Sequence, residues 1–454
     1  MESPKKGKNL KRKLGLFSLT NIVVANMIGV GIFTTTGLLM QDLHNPLLMI
    51  SLWVVGGIIA LCGALAYSEL GATMPYAGGE YIFLSRLYHP ILGFLSGWVS
   101  FFVGFSAPIA ASSIGFTEYF TRAFPGFLSL GIFGEATEAL VLKKFYAILL
   151  ILIFTFIHMR GLELGTKIQN LLTLLKVALI SGLILIGFLF GNGNLDHIIQ
   201  GGAFTFDFSG WKTIGLSLMW IMFAYSGWNA SAYIGSEIRN PVKNLPQSLI
   251  LGTGIVIILY LGINLFYIFT IPPQDMSGVI SIGGLAVEYA FGKSFESLLS
   301  LLISFALFSS LSAFIILGPR VYYSMAKDGY FFKFASEVHK KFGVPSKSIM
   351  IQCVIAVVMV FFGTFDQLLT YMGFSLGIFP ILTVIGVFKL RHSNKSVIRM
   401  PGYPIAPFLY VFTGIVILTL AFFERPIESS IAIGTVLIGI PVYFYFKAKY
   451  RMDK

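Results

Sequence analysis

Long apolar blocks alternate with short polar segments along almost the whole of this 454-residue chain. The blocks are mostly continuous runs, without the alternation of a half-buried β-strand, and most are long enough to cross a bilayer as a helix, which takes about 20 residues. Helices and closed barrels are the only structures that satisfy every backbone polar group within lipid. The runs therefore predict helices. Twelve spans are expected, at residues 16–40, 46–73, 88–120, 144–160, 165–190, 211–236, 245–271, 295–324, 347–364, 366–388, 405–423 and 427–447.

Composition and charge agree with this pattern. The chain is 56% hydrophobic and 11% charged, whereas a soluble domain carries about 25% charged residues. The first block is too long for a cleaved signal peptide and lacks a small-residue cleavage site. Most of the 32 Lys and Arg residues fall in alternate connecting segments, and cytoplasmic loops carry such an excess. The cytoplasmic termini are then residues 1–15 and 448–454. The net charge of +12 is a topology signal, and no nucleic-acid partner is expected.

The residues that usually carry catalytic or metal chemistry are sparse. Cys62 and Cys353 both lie in apolar spans and are typical of small buried hydrophobic residues. The six histidines are scattered without metal-ligand spacing, and no ATP-binding motif occurs. No cofactor, metal site or enzymatic activity is expected.

Two of the apolar blocks contain glycine-rich interruptions. Span 1 carries "GVGIF" at 29–33, and span 6 carries "AYSGWN" at 224–229. Spans that lie five apart cross the membrane in opposite directions, and paired interruptions of this kind indicate an inverted-repeat transporter. The expected halves are 16–190 and 211–388, with 405–447 appended.

An interrupted helix is suited to binding a zwitterion. The N-terminal end of a half-helix points free N–H groups at an anion, whereas the C-terminal end offers carbonyls to a cation. Gly29 and Gly31 allow the backbone to be approached closely, because glycine has no Cβ. Close packing between helices is the alternative reading of such glycines, and the matching interruption in span 6 favours a binding site.

Four stretches carry a family resemblance: "NMIGVGIF" (26–33), the segment 66–98, "FAYSGWNASAYIGSEIRNPVKNLPQSL" (223–249) and "GPRVYYSMAKDGYFF" (318–332). Together they resemble bacterial amino acid permeases of the amino acid–polyamine–organocation (APC) superfamily, above all its L-type amino acid transporter branch. The resemblance covers essentially the whole chain. It implies an all-α polytopic membrane protein of LeuT/APC type, with twelve transmembrane helices, a five-plus-five inverted repeat, broken helices 1 and 6, and helices 11 and 12 added.

The resemblance also implies a substrate site. The carboxylate of the amino acid would meet the backbone N–H groups of Val30, Gly31 and Ile32. The family usually has serine where Val30 stands, so a side-chain contact is lost while the backbone contacts remain. The ammonium would meet carbonyls near Asn26, Met27, Phe223, Ala224 and Ser226.

Gating and selectivity are implied in the same way. Phe223 and Phe314 correspond to aromatic lids, with ordinary packing as the alternative. Arginine-carrying relatives have a carboxylate where Asn229 stands, so a neutral L-amino acid is the expected substrate. A cationic amino acid or polyamine carrier of the same fold is the alternative, and a channel is the rival class.

Lys176 is the only basic residue expected deep within a span, and a charge at that depth indicates function. The resemblance implies that its ammonium replaces a sodium ion, with partners near Gly29 and among Ser309, Ser310 and Ser312. Tyr260, which shares a helix face with Asn264, would lie near the substrate and this lysine. Snorkelling of Lys176 to the interface is the alternative. Sodium-independent exchange and proton symport both remain open.

Further expectations concern partners and surroundings. Residues 121–144 contain no cysteine, so no disulfide-linked heavy chain is expected beside the amino acid substrate and the lipid bilayer. The protein is expected in the cytoplasmic membrane of a bacterium. Residues 275–291 predict a short external helix. Glu69 and Glu237 are expected to pair with basic residues of the loops.

Overall fold

The computed structural model describes residues 10, 12–128, 135–279, 281–362 and 365–452. These residues are almost entirely helical, and the β-structure among them consists of two isolated bridges, Leu14–Ile238 and Ala77–Ile234. The α-helices, numbered in chain order, are α1 (Leu16–Met27), α2 (Gly31–Leu43), α3 (Pro46–Thr73), α4 (Glu80–Leu87), α5 (Pro90–Val99), α6 (Ala107–Ala123), α7 (Glu135–Met159), α8 (Leu162–Phe190), α9 (Phe208–Ala224), α10 (Pro241–Thr270), α11 (Pro273–Met276), α12 (Ile282–Phe291), α13 (Glu296–Lys327), α14 (Ser346–Phe362), α15 (Phe365–His392), α16 (Ile405–Glu424) and α17 (Pro426–Met452).

Within the described ranges, ten segments are long and apolar enough to cross a membrane. They comprise the pair α1–α2, the segment from α5 to α6, and α3, α7, α8, α10, α13, α15, α16 and α17. The expected sixth and ninth spans correspond to α9 and α14, which have 17 residues each. The boundary between the ninth and tenth spans falls at 363–364, outside the described residues. The fold class is confirmed: this is an all-α, multi-pass membrane protein.

The helices of the two expected halves pack against each other in matching pairs. Helix α3 packs along α10, and α6 packs along α13. These pairs join the second span of one half to the second span of the other, and the third to the third. A two-fold relation between the halves would produce this pairing, and the exact division at 16–190 and 211–388 stays a prediction.

The third span is not a single α-helix. Between α5 and α6, residues Ser100–Ser106 form a π-helical segment, and the N–H of Ala107 bonds to the carbonyl of Phe102, five residues back. Pro108 follows directly and has no N–H to continue an α-helical ladder. Such π segments occur frequently at functional sites, and Ser100 borders the cavity described below.

The expected external helix at 275–291 is divided in two. Helix α11 ends at Met276 and α12 begins at Ile282. Between them, the N–H of Gly278 donates to the carbonyl of Gly37 at 2.9 Å. This contact ties the connection to α2, so the chain turns against the first span instead of continuing as one helix.

Candidate functional site

The first span is broken between α1 and α2, at residues 28–30. The N–H of Gly29 turns back to the carbonyl of Met27 at 2.8 Å, which ends the α-helical pattern. The next three N–H groups, of Val30, Gly31 and Ile32, donate no hydrogen bond to any residue that the structure describes. All three residues are buried. The N-terminus of α2 therefore carries three unpaired donors at the depth where span 1 is interrupted.

The second break begins where α9 ends, at Ala224. Gly227 has a φ of 99°, and a Cβ there would come within 2.3 Å of the Nδ2 of Asn26. The chain then continues as two short 3₁₀ turns, Ala230–Tyr233 and Gly235–Glu237. The span expected to reach residue 236 is thus α-helical only in its first part, because the left-handed glycine ends the helix and i→i+3 bonds follow it.

Tyr260 on α10 links the two breaks. Its buried hydroxyl lies 2.7 Å from the carbonyl oxygen of Met27 and 2.9 Å from that of Ala224. A hydroxyl has a single proton to donate, so the two carbonyls share it. Both carbonyls belong to residues expected to receive the substrate ammonium. One turn along α10, Asn264 accepts a hydrogen bond from the hydroxyl of Thr36 on α2 at 2.5 Å.

Lys176 on α8 reaches the carbonyl end of α1. Its buried ammonium donates to the carbonyl of Ile28, lies 3.5 Å from the carbonyl oxygen of Ala25, and donates to the hydroxyl of Ser310 at 2.7 Å. The Ser310 hydroxyl itself donates to Ile28 at 2.6 Å. Positive charge is stabilised at a helix C-terminus, and this ammonium occupies that position on the broken helix.

The other two serines that were expected near Lys176 form hydrogen bonds with other residues. The carbonyl of Ser309 accepts from the side chain of Gln169 at 2.9 Å. The hydroxyl of Ser312 lies 2.8 Å from the Nε2 of His158. Ser310 is therefore the one of the three whose side chain contacts Lys176.

A cavity of about 110 Å³ lies beside the second break. Its walls include five of the expected site residues: Asn26, Phe223, Ser226, Asn229 and Phe314. The remaining expected contact residues lie outside its walls, at Met27, Val30, Gly31, Ile32 and Ala224.

The ring of Phe223 stands between the cavity and the first break. It lines the cavity, and its Cε1 lies 3.6 Å from the position that a Cβ on Gly31 would take. Phe314 lines the same cavity from α13. Both expected lids are therefore placed at one cavity, and the carbonyl oxygen Oδ1 of Asn26, also at this cavity, is buried with no hydrogen-bond partner among the described residues.

Glu80, which sequence reasoning did not assign to the site, also lines this cavity. Its carboxyl accepts hydrogen bonds from the hydroxyls of Tyr67 (2.8 Å) and Tyr233 (3.1 Å) and from the amide of Asn229 (2.8 Å). Burial raises the pKa of the Glu80 carboxyl, while hydrogen bonds from these neighbours act in the opposite direction. A carboxyl group therefore lies next to Asn229, although the residue itself is neutral.

The sequence matches known proteins over nearly its full length. A profile described as amino acid permease matches residues 14–443. The chain belongs to the amino acid permease family.

Individual relatives of this permease cover almost all of it. It is 28% identical over 449 residues to the serine/threonine exchanger SteT of Bacillus subtilis, covering 97% of this chain and 98% of that protein. It is 26% identical over 450 residues to the human large neutral amino acids transporter small subunit 2, and 25% identical over 447 residues to the mouse Asc-type amino acid transporter 1. Each of these two matches covers 96% of this chain and 81% of the relative. These relatives are transporters.

Two acidic residues of the permease have arginine partners. Glu69 accepts from Arg391, in the last turn of α15, at 2.6 and 2.8 Å. Glu237 pairs with Arg320 at 2.8 Å. Both carboxylates were expected to pair with basic residues of loops, but Arg320 lies inside α13 and is buried. This pair ties the segment after the second break to α13.

Proposed function

We propose that this permease is a sodium-independent exchanger of neutral L-amino acids that works by alternating access in the cytoplasmic membrane of a bacterium, with both termini cytoplasmic. The observation that carries the proposal is the amino acid permease match across residues 14–443. The relatives include a bacterial serine/threonine exchanger and a transporter of large neutral amino acids.

The amino acid carboxylate would bind the N–H groups of Val30, Gly31 and Ile32. Their lack of acceptors among the described residues supports this role, because helix N-termini bind anions. The substrate ammonium would approach the carbonyl groups of Asn26, whose Oδ1 is buried and has no hydrogen-bond partner among the residues that the structure describes. Phe223 would close the site towards the cavity.

Lys176 would provide the positive charge that a sodium ion supplies in sodium-coupled carriers. Its contacts with the carbonyls of Ala25 and Ile28 and with Ser310 support this role. An ammonium fixed in this position makes a bound cation unnecessary, and it explains why transport would proceed without sodium. Proton symport, in which the lysine releases its proton during the cycle, is the competing coupling mechanism.

The purified permease in liposomes tests the proposal directly. Uptake of labelled serine is measured with and without internal serine, with and without sodium, and at two external pH values. We expect saturable uptake that requires internal amino acid and not sodium. A strict sodium requirement would contradict the role of Lys176, and uptake driven by a pH gradient into empty liposomes would favour symport. Non-saturable flux without counterflow would indicate a channel.

Substrate class and partners can be tested in the same preparation. Competition by all twenty amino acids should favour neutral ones, and arginine as the tightest competitor would instead support a cationic substrate. Activity of the chain purified alone would agree with the absence of a cysteine from residues 121–144.

A further inference from the structure

The two carboxyl oxygens of Glu80 have different surroundings. Oε1 accepts three hydrogen bonds, from Tyr67, Asn229 and Tyr233, at 2.8 to 3.1 Å. Oε2 has a single, long contact with the hydroxyl of Ser96 at 3.4 Å. A carboxylate can accept about four hydrogen bonds across its two oxygens. One oxygen is therefore saturated by the protein, while the other keeps accepting capacity.

Glu80 also differs from the other buried carboxylates of the permease. Glu69 and Glu237 each pair with an arginine. Glu80 forms no ion pair with any Lys, Arg or His that the structure describes. A buried carboxylate without a positive partner is costly to maintain, and three neutral donors on one oxygen compensate for only part of that cost.

The cavity connects this carboxyl to the broken helices. Asn26 and Ser226, one from each break, line the same cavity as Glu80. Asn229, which follows the second break, donates directly to the Glu80 carboxyl. A ligand held at the breaks can therefore extend a side chain through this cavity towards Oε2.

We propose that Oε2 of Glu80 is a subsite for a substrate side chain that donates a hydrogen bond, either a hydroxyl or an ammonium group. This inference rests on the proposed amino acid transport and specifies which substrates the site prefers. A buried carboxylate oxygen with free accepting capacity discriminates strongly against a substrate with an isosteric methyl group, because the oxygen then gains no donor.

Glu80→Gln separates recognition of a substrate donor from the hydrogen bonds that Glu80 accepts from the protein. Three donors converge on Oε1, so the amide oxygen of glutamine takes that position and preserves those hydrogen bonds. The amide nitrogen then takes the place of Oε2 and presents a donor, where the wild type presents an acceptor. The matched control is Glu118→Gln, which removes an exposed carboxylate paired with Lys143.

The measurement is competition against labelled substrate by pairs of amino acids that differ in a single group. Threonine and valine compare a hydroxyl with a methyl group, and 2,3-diaminopropionate and 2-aminobutyrate compare an ammonium with a methyl group. In the wild type and in Glu118→Gln, we expect the donor-bearing member of at least one pair to bind about tenfold more tightly or better. A preference for threonine identifies a hydroxyl donor and agrees with a neutral substrate. A preference for 2,3-diaminopropionate identifies an ammonium donor and would replace the neutral substrate class proposed above by a cationic one. In Glu80→Gln this preference is lost, while the affinity for the methyl-bearing member is retained.

Other results would overturn the inference. The first is equal affinity for the two members of both pairs in the wild type. The second is an affinity ratio in Glu80→Gln that equals the wild-type ratio. The third is a shifted pH profile of transport in Glu80→Gln with unchanged selectivity, which would assign the carboxyl to proton binding. If Glu80→Gln is inactive, Ser96→Ala provides the second test, since it removes the hydroxyl that contacts Oε2. The affinity ratio within the pair should then be at least as high as in the wild type, and a lower ratio would contradict the inference. If no amino acid competes at all, the proposed transport function fails instead.

Discussion

The two glycines of the first break have different surroundings, and alanine substitutions can separate their roles. A Cβ on Gly31 would lie 3.0 Å from both the Cα and the Cβ of Ala224. A Cβ on Gly29 would meet no atom of the described residues within 4 Å, and the φ of Gly29 is not in the left-handed region. Gly31 is thus required where the two broken helices approach each other, whereas Gly29 borders open space.

The expected energies follow from these distances. Carbon atoms pack best about 3.5 to 4.0 Å apart, so Gly31→Ala must push the ends of α2 and α9 apart by about 0.5 to 1 Å. Overpacking of this kind costs about 1 to 3 kcal/mol. The shift also strains the link through Tyr260, because its hydroxyl bonds to Ala224 on one side and to Met27 on the other. Gly29→Ala has no such cost, and it restricts the unfolded chain, which stabilises by about 0.4 to 1 kcal/mol where the conformation is allowed.

The assay is thermal and denaturant-induced unfolding of both variants and the wild type in the same lipid, without substrate. We expect Gly31→Ala to unfold at lower temperature and lower denaturant concentration than the wild type, and Gly29→Ala to match or exceed the wild type. Substrate affinity is then measured on the folded fraction. A distortion worth 1 to 3 kcal/mol in binding corresponds to a loss of about 5- to 150-fold for Gly31→Ala. Two results would contradict this prediction: Gly29→Ala destabilises the substrate-free protein as much as Gly31→Ala does, or Gly31→Ala changes neither stability nor substrate affinity.

Four further substitutions test the contacts around the breaks. Lys176→Ala should slow exchange about tenfold or more, because charge-assisted hydrogen bonds to α1 are lost, and exchange assays with and without sodium should still show no sodium requirement. Tyr260→Phe should lower the free energy of unfolding by about 1 to 3 kcal/mol by leaving buried carbonyls short of a donor, which denaturation curves can measure. Glu237→Ala and Arg320→Ala should each lower the free energy of unfolding by about 3 to 5 kcal/mol. Denaturation curves of the double variant should show a loss clearly smaller than the sum of the two single losses.

Features that depend on local sequence could be predicted well. Membrane spans are long apolar runs, and the break at 28–30 follows from two glycines at a depth where helix is otherwise obligatory. Lys176 could be singled out because a deep charge in a span is costly. Its position at the carbonyl end of α1, beside Ser310, agrees with the partners that the family resemblance implied.

Features that depend on distant pairs of residues could not be predicted. Glu80 and Asn229 are 149 positions apart, and no periodic pattern in the sequence predicts their contact. Taken alone, Asn229 indicated a site without negative charge, although its amide contacts a carboxyl. The interruption of span 6 at 224–229 could be predicted from its glycine and polar residues, but the close approach of Gly227 to Asn26 in span 1 could not.

The hydrogen bonds of the first break are distributed unequally between its two ends, and this has a consequence for how a zwitterion would bind. At the carbonyl end of α1, the protein already supplies donors, since Lys176 and Tyr260 reach Ile28 and Met27. At the N-terminus of α2, the N–H groups at positions 30–32 have no acceptor among the described residues. Buried donors without partners are costly, so an arriving carboxylate gains most at this end. The carboxylate would therefore fix the position of the amino acid, while the ammonium would need acceptors that the protein has not used, such as the Oδ1 of Asn26.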